Sequence, residues 1–401
     1  MRGKKQILSN QITEKLTKSA LNKSRVDGLT HNFYRYPARF SPFFASTAIE
    51  LFSKPGDVVL DPYMGGGTTI VEAIVAGRRA IGADLNSLSI FLTKVKTTKL
   101  SSIEKKYLSS WAEQSISKVT YRYPAENISD LLLDNKKTKN LNLPKARFIK
   151  KFIAAALTSL NMLQSPNAID FARCAILKTA QWALDGRKTH TSLKQFRNRL
   201  QQNINQMLSQ LVEFENSIRT QEIGNPRPTL VEIDASWIDQ ASIFSEHNTR
   251  ADLVVTSPPY PGLHILYHRW QVNGRRETPA PYWITGCEDG QGDSYYNFGS
   301  RQQRGLNSYF EKSLQTLKAI RRVMRHGGYI IQMIAFRDPQ NHLPQYLANM
   351  ETAGFKEVNL KMHNVLNNGR IWRNVPNRKW YATLHGNTTG SKEVVLVHIA
   401  D

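Results

Sequence analysis

The stretch VVLDPYMGGGTT, residues 58–69, gives the clearest indication of the fold class. A short run of apolar, β-branched residues ends at Asp61, three glycines follow, and IVEAIVAG (70–77) then has the apolar spacing of a helix. The next apolar run, AIGADL (80–85), indicates a second strand. This order predicts a β-α-β unit, and such units build mainly parallel sheets.

The glycine turn between strand and helix indicates a cofactor site. Glycines at 65–67 carry no Cβ, so a ligand can approach the backbone closely. The dinucleotide pattern fails because Ile70 occupies its last glycine position, and the phosphate loop fails because its lysine is missing. Asp61 suits an ammonium group, and Asp84, which ends the second strand, suits a ribose diol. S-adenosylmethionine carries both groups; a turn that only reverses the chain is the structural alternative.

The stretch TSPPY, 256–260, ends another apolar strand and predicts a catalytic loop. Because proline has no N–H, the carbonyls of Ser257 and Pro258 meet little local competition, and the serine hydroxyl is a further acceptor. Together they can accept both hydrogens of an exocyclic amine, while Tyr260 offers a flat face to an extruded base. An ordinary strand-ending Pro-Pro turn is the alternative.

Composition narrows the class of protein and of partner. With 40% hydrophobic and 21% charged residues, the 401-residue chain can bury a globular core. The net charge of +22 favours nucleic acid or an anionic membrane surface as partner, although a basic charge that serves only solubility is the alternative. Cys174 and Cys287 show no CxxC spacing, so we expect neither a disulfide framework nor a metal. No bilayer-spanning run or signal peptide is visible, so we expect a cytoplasmic protein.

The chain divides into a catalytic domain and an insertion. Residues 1–30 are lysine-rich and predict a basic N-terminal arm or a loosely held helix. Strand and helix patterns fill 31–100 and 229–401, whereas 101–228 has long helical periodicity with basic polar faces. We therefore expect an α/β catalytic domain interrupted by a helical insertion.

DPYMGGGTT and TSPPY together resemble the DNA amino-methyltransferases, whose cofactor loop reads DPFxGSGTT and whose catalytic loop reads [DNS]PPY. The serine form TSPPY resembles the cytosine-N4 enzymes. The resemblance covers about 31–95 and 229–399, and it implies a Rossmann-like methyltransferase sheet, mainly parallel with an antiparallel late strand. A long insertion between the two motifs is not uniform in that family, which leaves the target-recognition region open.

The resemblance also implies site residues. HNFYRYPARFSP (31–42) is similar to the cofactor motif that precedes the glycine loop, and Asp234 resembles the residue near the cofactor's adenine. The implied catalytic residues are Ser257, Pro258, Pro259 and Tyr260. The implied cofactor-binding residues are Tyr36, Ala38, Arg39, Phe40, Asp61, Tyr63, Gly65, Gly66, Gly67, Thr68, Thr69, Asp84, Leu85, Asp234 and Ala235.

Two regions are candidates for reading the target. The loop 260–286 mixes cations with aromatic residues, which suits phosphate contact and base stacking, and we expect Arg269, Trp270, Arg275 and Arg276 to contact nucleic acid. Arg378 and Lys379 are expected to close over the site, with a core or turn role as the alternative. For the insertion, DNA reading and a packing or dimerisation layer are equal alternatives.

The expected function is methyl transfer from S-adenosylmethionine to the exocyclic N4 of cytosine in double-stranded DNA, with base flipping. Adenine N6, RNA as substrate, and a non-catalytic nucleic-acid-binding subunit are the alternatives. No nuclease or helicase motif is visible, so a restriction or defence partner would be another chain. We expect a prokaryotic protein that associates with the nucleoid through DNA.

Overall fold

The computed structural model describes residues 7–37, 41–116, 136–144, 146–187, 189, 191–218, 227–260, 269–272, 274, 276–290, 303–336, 338–360, 368–374 and 392–401. Within these ranges one large sheet is flanked by helices. Its strands are β1 Val58–Asp61, β2 Arg79–Asp84, β3 Thr229–Glu232, β4 Ala251–Thr256, β7 Met324–Ala335, β8 Phe355–Glu357, β9 Ile371–Asn374 and β10 Lys392–Ala400; β5 Trp270–Val272 and β6 Arg276–Thr278 form a separate ribbon.

The sheet has the order β3-β2-β1-β4-β7-β10-β8, and β9 also pairs with β10. The pairs from β3 to β7 are parallel, whereas β10 runs antiparallel to β7, β8 and β9. This strand order confirms the predicted Rossmann-like methyltransferase sheet with an antiparallel late strand. The carboxyl ends of β1, β2 and β4 lie at one edge, where ligands bind in open α/β sheets.

The helices follow the sequence periodicity closely. Ser101 and Ser192 each form a capping box at a helix start, and Pro166 occupies the first turn after the N-cap Ser165. The helices are α1 Asn10–Leu21, α2 Pro42–Phe52, α3 Thr68–Val75, α4 Ser87–Thr97, α5 Ser102–Ser110, α6 Arg147–Thr158, α7 Pro166–Leu184, α8 Leu193–Ser217, α9 Ser242–Ser245, α10 Ala280–Thr285, α11 Gln303–Val323 and α12 Pro339–Thr352. In these ranges no helix is long and apolar enough to cross a membrane.

The helical insertion packs directly on the catalytic sheet. One hydrophobic core runs from the sheet through α4 into α6, α7 and α8. The rings of Phe33 and Phe171 meet edge to face at 5.6 Å, which joins the segment before the glycine loop to α7. The described part of the insertion is therefore continuous with the catalytic core.

The structure corrects the expectations for the N-terminal helix and for the loop after TSPPY. Helix α1 is not loosely held, because Leu16 and Ala20 are fully buried and Leu8 N–H bonds to the Asn359 carbonyl at 3.1 Å. The HGG stretch (326–328) lies within β7, since α11 already ends at Val323. Segment 260–286, expected to be a loop, contains the β5–β6 ribbon; the alternation of apolar, polar and apolar residues in Trp270–Val272 was the sequence signal.

Candidate active site

The glycine turn is a close-packed cradle. Gly65 and Gly67 have φ of +46° and +74°, a left-handed region that disfavours side chains. A Cβ at Gly65 or Gly66 would approach the Tyr36 side chain to 3.2 or 3.1 Å, and one at Gly67 would overlap with Thr93. Conformation therefore favours glycine at 65 and 67, and close packing favours glycine at all three positions.

Asp84 ends β2 directly beside this cradle. Its Oδ2 accepts from the Gly65 N–H at 2.8 Å, and its Oδ1 accepts from the Asn86 N–H at 2.9 Å. Burial raises the pKa of Asp84 to about 6, although these N–H donors oppose the shift. The half-buried Leu85 follows it. Sequence reasoning placed Asp84 at a ribose position, and the structure brings it to the glycine turn.

Asp61 joins the cofactor motif to the catalytic motif. Its Oδ1 accepts from the Thr256 hydroxyl at 2.7 Å and from the Tyr63 N–H at 3.1 Å. The side chain is buried, and burial raises its pKa to about 6, partly offset by the hydroxyls of Thr256 and Thr69. Thr69 also donates to the Val255 carbonyl at 3.2 Å, while Thr68 is buried at the start of α3. The two motifs are thus hydrogen-bonded neighbours.

Asp234 lies on the adjacent strand connection, at the same edge. Its carboxylate accepts from the N–H and the hydroxyl of Ser236 and forms an ion pair with Lys312 at 3.0 Å. Burial opposes ionisation, but these donors together hold the pKa of Asp234 below its usual value. Ala235 follows it, buried at the start of a short 3₁₀ turn.

Ser257 is oriented as a hydrogen-bond acceptor. Its hydroxyl donates to the Met333 carbonyl at 3.0 Å, and a hydroxyl has only one hydrogen, so its lone pairs stay available. The Tyr309 hydroxyl donates to the Pro259 carbonyl at 3.2 Å. Within the described ranges the Pro258 carbonyl has no such donor. Among the described residues, the Ser257 oxygen, which lies 3.4 Å from the Tyr260 hydroxyl, and the Pro258 carbonyl are therefore the candidate acceptors for a ligand.

Tyr260 is anchored by a buried ion pair. Its hydroxyl donates to Glu393 Oε1 at 2.8 Å, and Glu393 Oε2 pairs with Arg373 Nε at 2.7 Å. Arg373 also donates to the Ala20 carbonyl at 3.1 Å, at the end of α1. Both charged side chains are less than a tenth exposed. The phenol is thus held by strands distant in sequence.

Sequence reasoning missed four residues of this site. Glu393 was not recognised because it stands in the apolar stretch KEVVLVHI; it reaches the active edge because β10 runs antiparallel and begins there. Arg373, which holds Glu393, follows an aromatic residue on β9, and nothing local marks it. Thr256 is the first residue of TSPPY, but the sequence analysis predicted no role for it. Lys96 is buried in α4 and donates to the Gly66 carbonyl at 2.6 Å.

The expected nucleic-acid contacts are only partly brought to the surface. Trp270 is buried and donates to the Tyr34 hydroxyl at 2.9 Å, so its expected stacking role is corrected to a core role. Arg269 forms an ion pair with Asp289 at 2.9 Å, whereas Arg276 is exposed on β6. Ala38, Arg39, Phe40, Arg275, Arg378 and Lys379 lie outside the described residues.

Comparison with known proteins finds DNA methyltransferases. A model of the N6/N4 methylases, described as DNA methylase, matches residues 4–93. Type II methyltransferase M.MvaI of Kocuria varians is 34% identical over 123 residues, which are 30% of this chain and 27% of that protein. DNA adenine methyltransferase YhdJ of Escherichia coli is 38% identical over 63 residues, 16% of this chain and 21% of that protein. The chain thus matches about a quarter of the length of these relatives.

Solved methyltransferase structures resemble the chain only distantly. TrmN from Thermus thermophilus has a TM-score of 0.31 at 12% identity and covers 90% of this chain and 49% of its own. The rRNA methyltransferase aviRa from Streptomyces viridochromogenes has a TM-score of 0.33 at 11% identity, with coverage of 93% and 90%. The fold assignment accordingly rests on the strand order described above.

The cofactor of the matched family is S-adenosylmethionine, and the residues at this edge fit it. A glycine cradle that side chains would fill lies beside two carboxyl groups, Asp61 and Asp84, which suit an ammonium and a diol. TSPPY adjoins that cradle through the Thr256–Asp61 hydrogen bond. The resemblance to the DNA amino-methyltransferase family is therefore confirmed. The region that matches the DNA methylase model is residues 4–93. These matches do not separate the N4 branch from the N6 branch.

Proposed function

We propose that this protein methylates an exocyclic amine of a base in double-stranded DNA, with cytosine N4 as the first choice. The orientation of Ser257 carries the proposal: its hydrogen is committed to the Met333 carbonyl, so its oxygen accepts. Catalytic residues would be Ser257, Pro258, Pro259 and Tyr260. The domain division into 31–100 with 229–401 and the insertion 101–228 belongs to the same proposal.

Two acceptors would prepare the amine for attack. The lone pair of an aromatic amine is delocalised into its ring, and acceptors at Ser257 Oγ and the Pro258 carbonyl would draw the nitrogen toward a tetrahedral form. S-adenosylmethionine supplies an activated methyl group on a sulfonium, so no strong base is required. Correct placement of the amine by the protein would account for most of the rate enhancement.

Tyr260 would hold the base outside the helix. A base inside a duplex cannot reach a pocket at the sheet edge, so it must be extruded and stacked on an aromatic face. The Glu393 carboxylate holds the Tyr260 hydroxyl and so fixes the position of the side chain. A fixed ring loses less conformational entropy when it takes up a base.

Adenine N6 is the second candidate, because one of the relatives is named a DNA adenine methyltransferase. The serine form of the catalytic loop supports cytosine instead. The Type II names of other relatives support a restriction partner on a separate chain. DNA as substrate would place the protein in the compartment that holds DNA.

The test uses methyl-labelled S-adenosylmethionine and unmethylated duplex DNA, followed by digestion to nucleosides. We expect label in N4-methylcytosine and a loss of roughly 100-fold in kcat for Ser257→Ala, the scale of losing one positioned hydrogen-bonding group. Ser217→Ala is the matched control, because that hydroxyl also donates to a backbone carbonyl but makes this bond in a solvent-exposed position at the end of α8.

Each outcome decides a different element of the proposal. Label in N6-methyladenine would replace cytosine by adenine. Transfer to RNA in preference to DNA would overturn the substrate class. DNA binding without any affinity for S-adenosylmethionine would show a non-catalytic binding protein.

A further inference from the structure

The carboxyl-terminal end of α7 contacts Arg35, in the segment that precedes the glycine turn. Gln181 accepts from the Arg35 N–H at 3.3 Å and donates to the Arg35 carbonyl at 3.0 Å. Asp185 forms an ion pair with the Arg35 side chain at 2.8 Å. Arg35 immediately precedes Tyr36, whose ring covers the glycine cradle. The connection between α7 and α8 therefore begins beside the candidate active site.

The same connection holds the ribbon that follows the catalytic loop. The Gly186 N–H donates to the Gln271 carbonyl at 2.8 Å, and the Gln271 N–H donates to Asp185 at 3.1 Å. This ribbon carries the exposed Arg276. The insertion, the cofactor motif and the segment after TSPPY thus meet at one place, which sequence alone had left open.

Two arginines lie against one tryptophan at this place. The Arg187 guanidinium lies 4.2 Å from the Trp182 ring centroid, and the Arg199 guanidinium lies at 5.5 Å. Trp182 is half-buried and packs on the core, while Arg199 is exposed. We call Trp182, Arg187 and Arg199 the arginine–tryptophan platform. Stacking uses the guanidinium face; Arg187 also donates through Nη1 to the Trp182 carbonyl at 3.5 Å and has a buried Nε, whereas the exposed Arg199 offers its N–H edge to an anion.

The platform keeps its positive charge. Asp185 is already paired with Arg35, and among the described residues neither Arg187 nor Arg199 forms an ion pair with a carboxylate. Burial lowers the pKa of the neighbouring Lys178 to about 8, with the charge of Arg199 acting in the same direction, while Cys174 and Asp27 oppose the shift.

We propose that the arginine–tryptophan platform, with Arg276 on the adjacent ribbon, binds the phosphate backbone of duplex DNA beside the methylated base. This inference rests on the proposed function and deepens it, because it assigns DNA contact to one part of the insertion. Guanidinium groups bind phosphate oxygens in two parallel hydrogen bonds, and phosphate contacts fix the register of a protein on DNA. The chain's net charge of +22 suits the same partner.

The test compares two double variants of the whole chain. Arg187→Ala with Arg199→Ala removes two charges from the platform. Lys54→Ala with Arg79→Ala removes two exposed charges at the amino ends of β1 and β2, the opposite edge of the sheet. Affinity for a DNA duplex is measured by fluorescence anisotropy over a series of salt concentrations, and S-adenosylmethionine affinity is measured by calorimetry.

We expect the platform variant to bind DNA roughly tenfold more weakly and to lose about 2 from the slope of log affinity against log salt. The opposite-edge variant should keep nearly the wild-type slope, and both should bind S-adenosylmethionine normally. Arg187→Lys with Arg199→Lys retains the charge and should restore most of the slope. This lysine pair also tests the proposal if the alanine pair does not fold.

These measurements distinguish failure of the platform assignment from failure of the proposed function. If wild-type protein binds no DNA duplex, the proposed function falls and the platform with it. If wild-type protein binds DNA but the platform variant keeps the wild-type slope, only the platform assignment is overturned. Tighter binding to duplex RNA would overturn DNA as the partner. A change from dimer to monomer in light scattering, with an unchanged salt slope, would make the platform a packing surface instead.

Discussion

The hydroxyl of Thr256 donates to Oδ1 of Asp61 at 2.7 Å, so the first residue of TSPPY holds the first residue of DPYMGGGTT. Strands β1 and β4 are parallel neighbours, with Leu60 opposite Val254, and this register brings both motifs to the same sheet edge. A buried carboxylate in contact with two motifs couples their positions. A substitution that moves either loop should therefore alter the position of the other.

Replacing Thr256 with valine should weaken both folding and cofactor binding. The methyl group fills the space of the hydroxyl but removes one of the donors to the buried Asp61, which costs about 1–3 kcal/mol in the free energy of unfolding. Urea denaturation and calorimetry with S-adenosylmethionine measure the two effects. Thr256→Ser keeps the hydroxyl and should stay near wild type; equal loss in both variants would show that the hydrogen bond is not responsible.

Glu393 should position Tyr260 for the target base. Tyr260→Phe keeps the ring but removes its bond to Glu393, so we expect a higher KM for DNA with a smaller change in kcat. Glu393→Gln keeps an acceptor for the Tyr260 hydroxyl and should lie between Tyr260→Phe and wild type. An unchanged KM in Tyr260→Phe would refute the positioning role.

Glu393→Ala should also destabilise the fold strongly. It leaves the buried Arg373 guanidinium unpaired, which costs about 3–5 kcal/mol. The double change Glu393→Leu with Arg373→Met removes both charges and should recover most of that loss in denaturation experiments. If the double change is as unstable as Glu393→Ala, the unpaired charge is not the cause.

Cofactor affinity should rise with pH. Burial raises the pKa of Asp61 and Asp84 to about 6, above about 3.9 in an unfolded chain. For the protein without cofactor, their contribution to stability is fully present below about pH 4 and is lost as pH rises through about 6. Ammonium and ribose hydroxyl groups favour the ionised carboxylates, so binding should tighten from about pH 5 to about pH 7.

Calorimetry at several pH values tests this, with Asp84→Asn as the comparison. The amide does not titrate, so this variant should bind more weakly and show a shallower pH dependence. Affinity that falls across this window in wild-type protein would contradict the assignment of the two carboxylates.

Gly67→Ala should damage the cradle by more than its backbone conformation explains. The added Cβ would overlap with Thr93 in addition to occupying φ of +74°. Gly56 has φ of +87° and nothing within 4 Å of its Cβ position, so Gly56→Ala carries only the conformational penalty of about 1–2 kcal/mol. We expect Gly67→Ala to lose at least about 1 kcal/mol more in unfolding experiments, and to lose S-adenosylmethionine binding. Equal losses would rule out the collision.

The local patterns of the sequence determined the sheet and the candidate chemistry. Alternation of apolar runs with helical spacing predicts the β-α-β unit, and the glycine run and TSPPY identify the cofactor and catalytic loops because their backbone requirements are local. Asp61, Asp84 and Ser257 were predicted for this reason, and the structure brings them to one edge.

Only the tertiary structure decided which distant residues complete the site. Glu393 and Arg373 reach Tyr260 because β10 is antiparallel and β9 pairs beside it, and long-range strand pairing leaves no local signature. Trp270 has the composition of a nucleic-acid contact, yet its burial depends on α7, which comes from another part of the chain. The sequence thus determines local conformation and residue chemistry, while packing determines which side chains are exposed and which are paired.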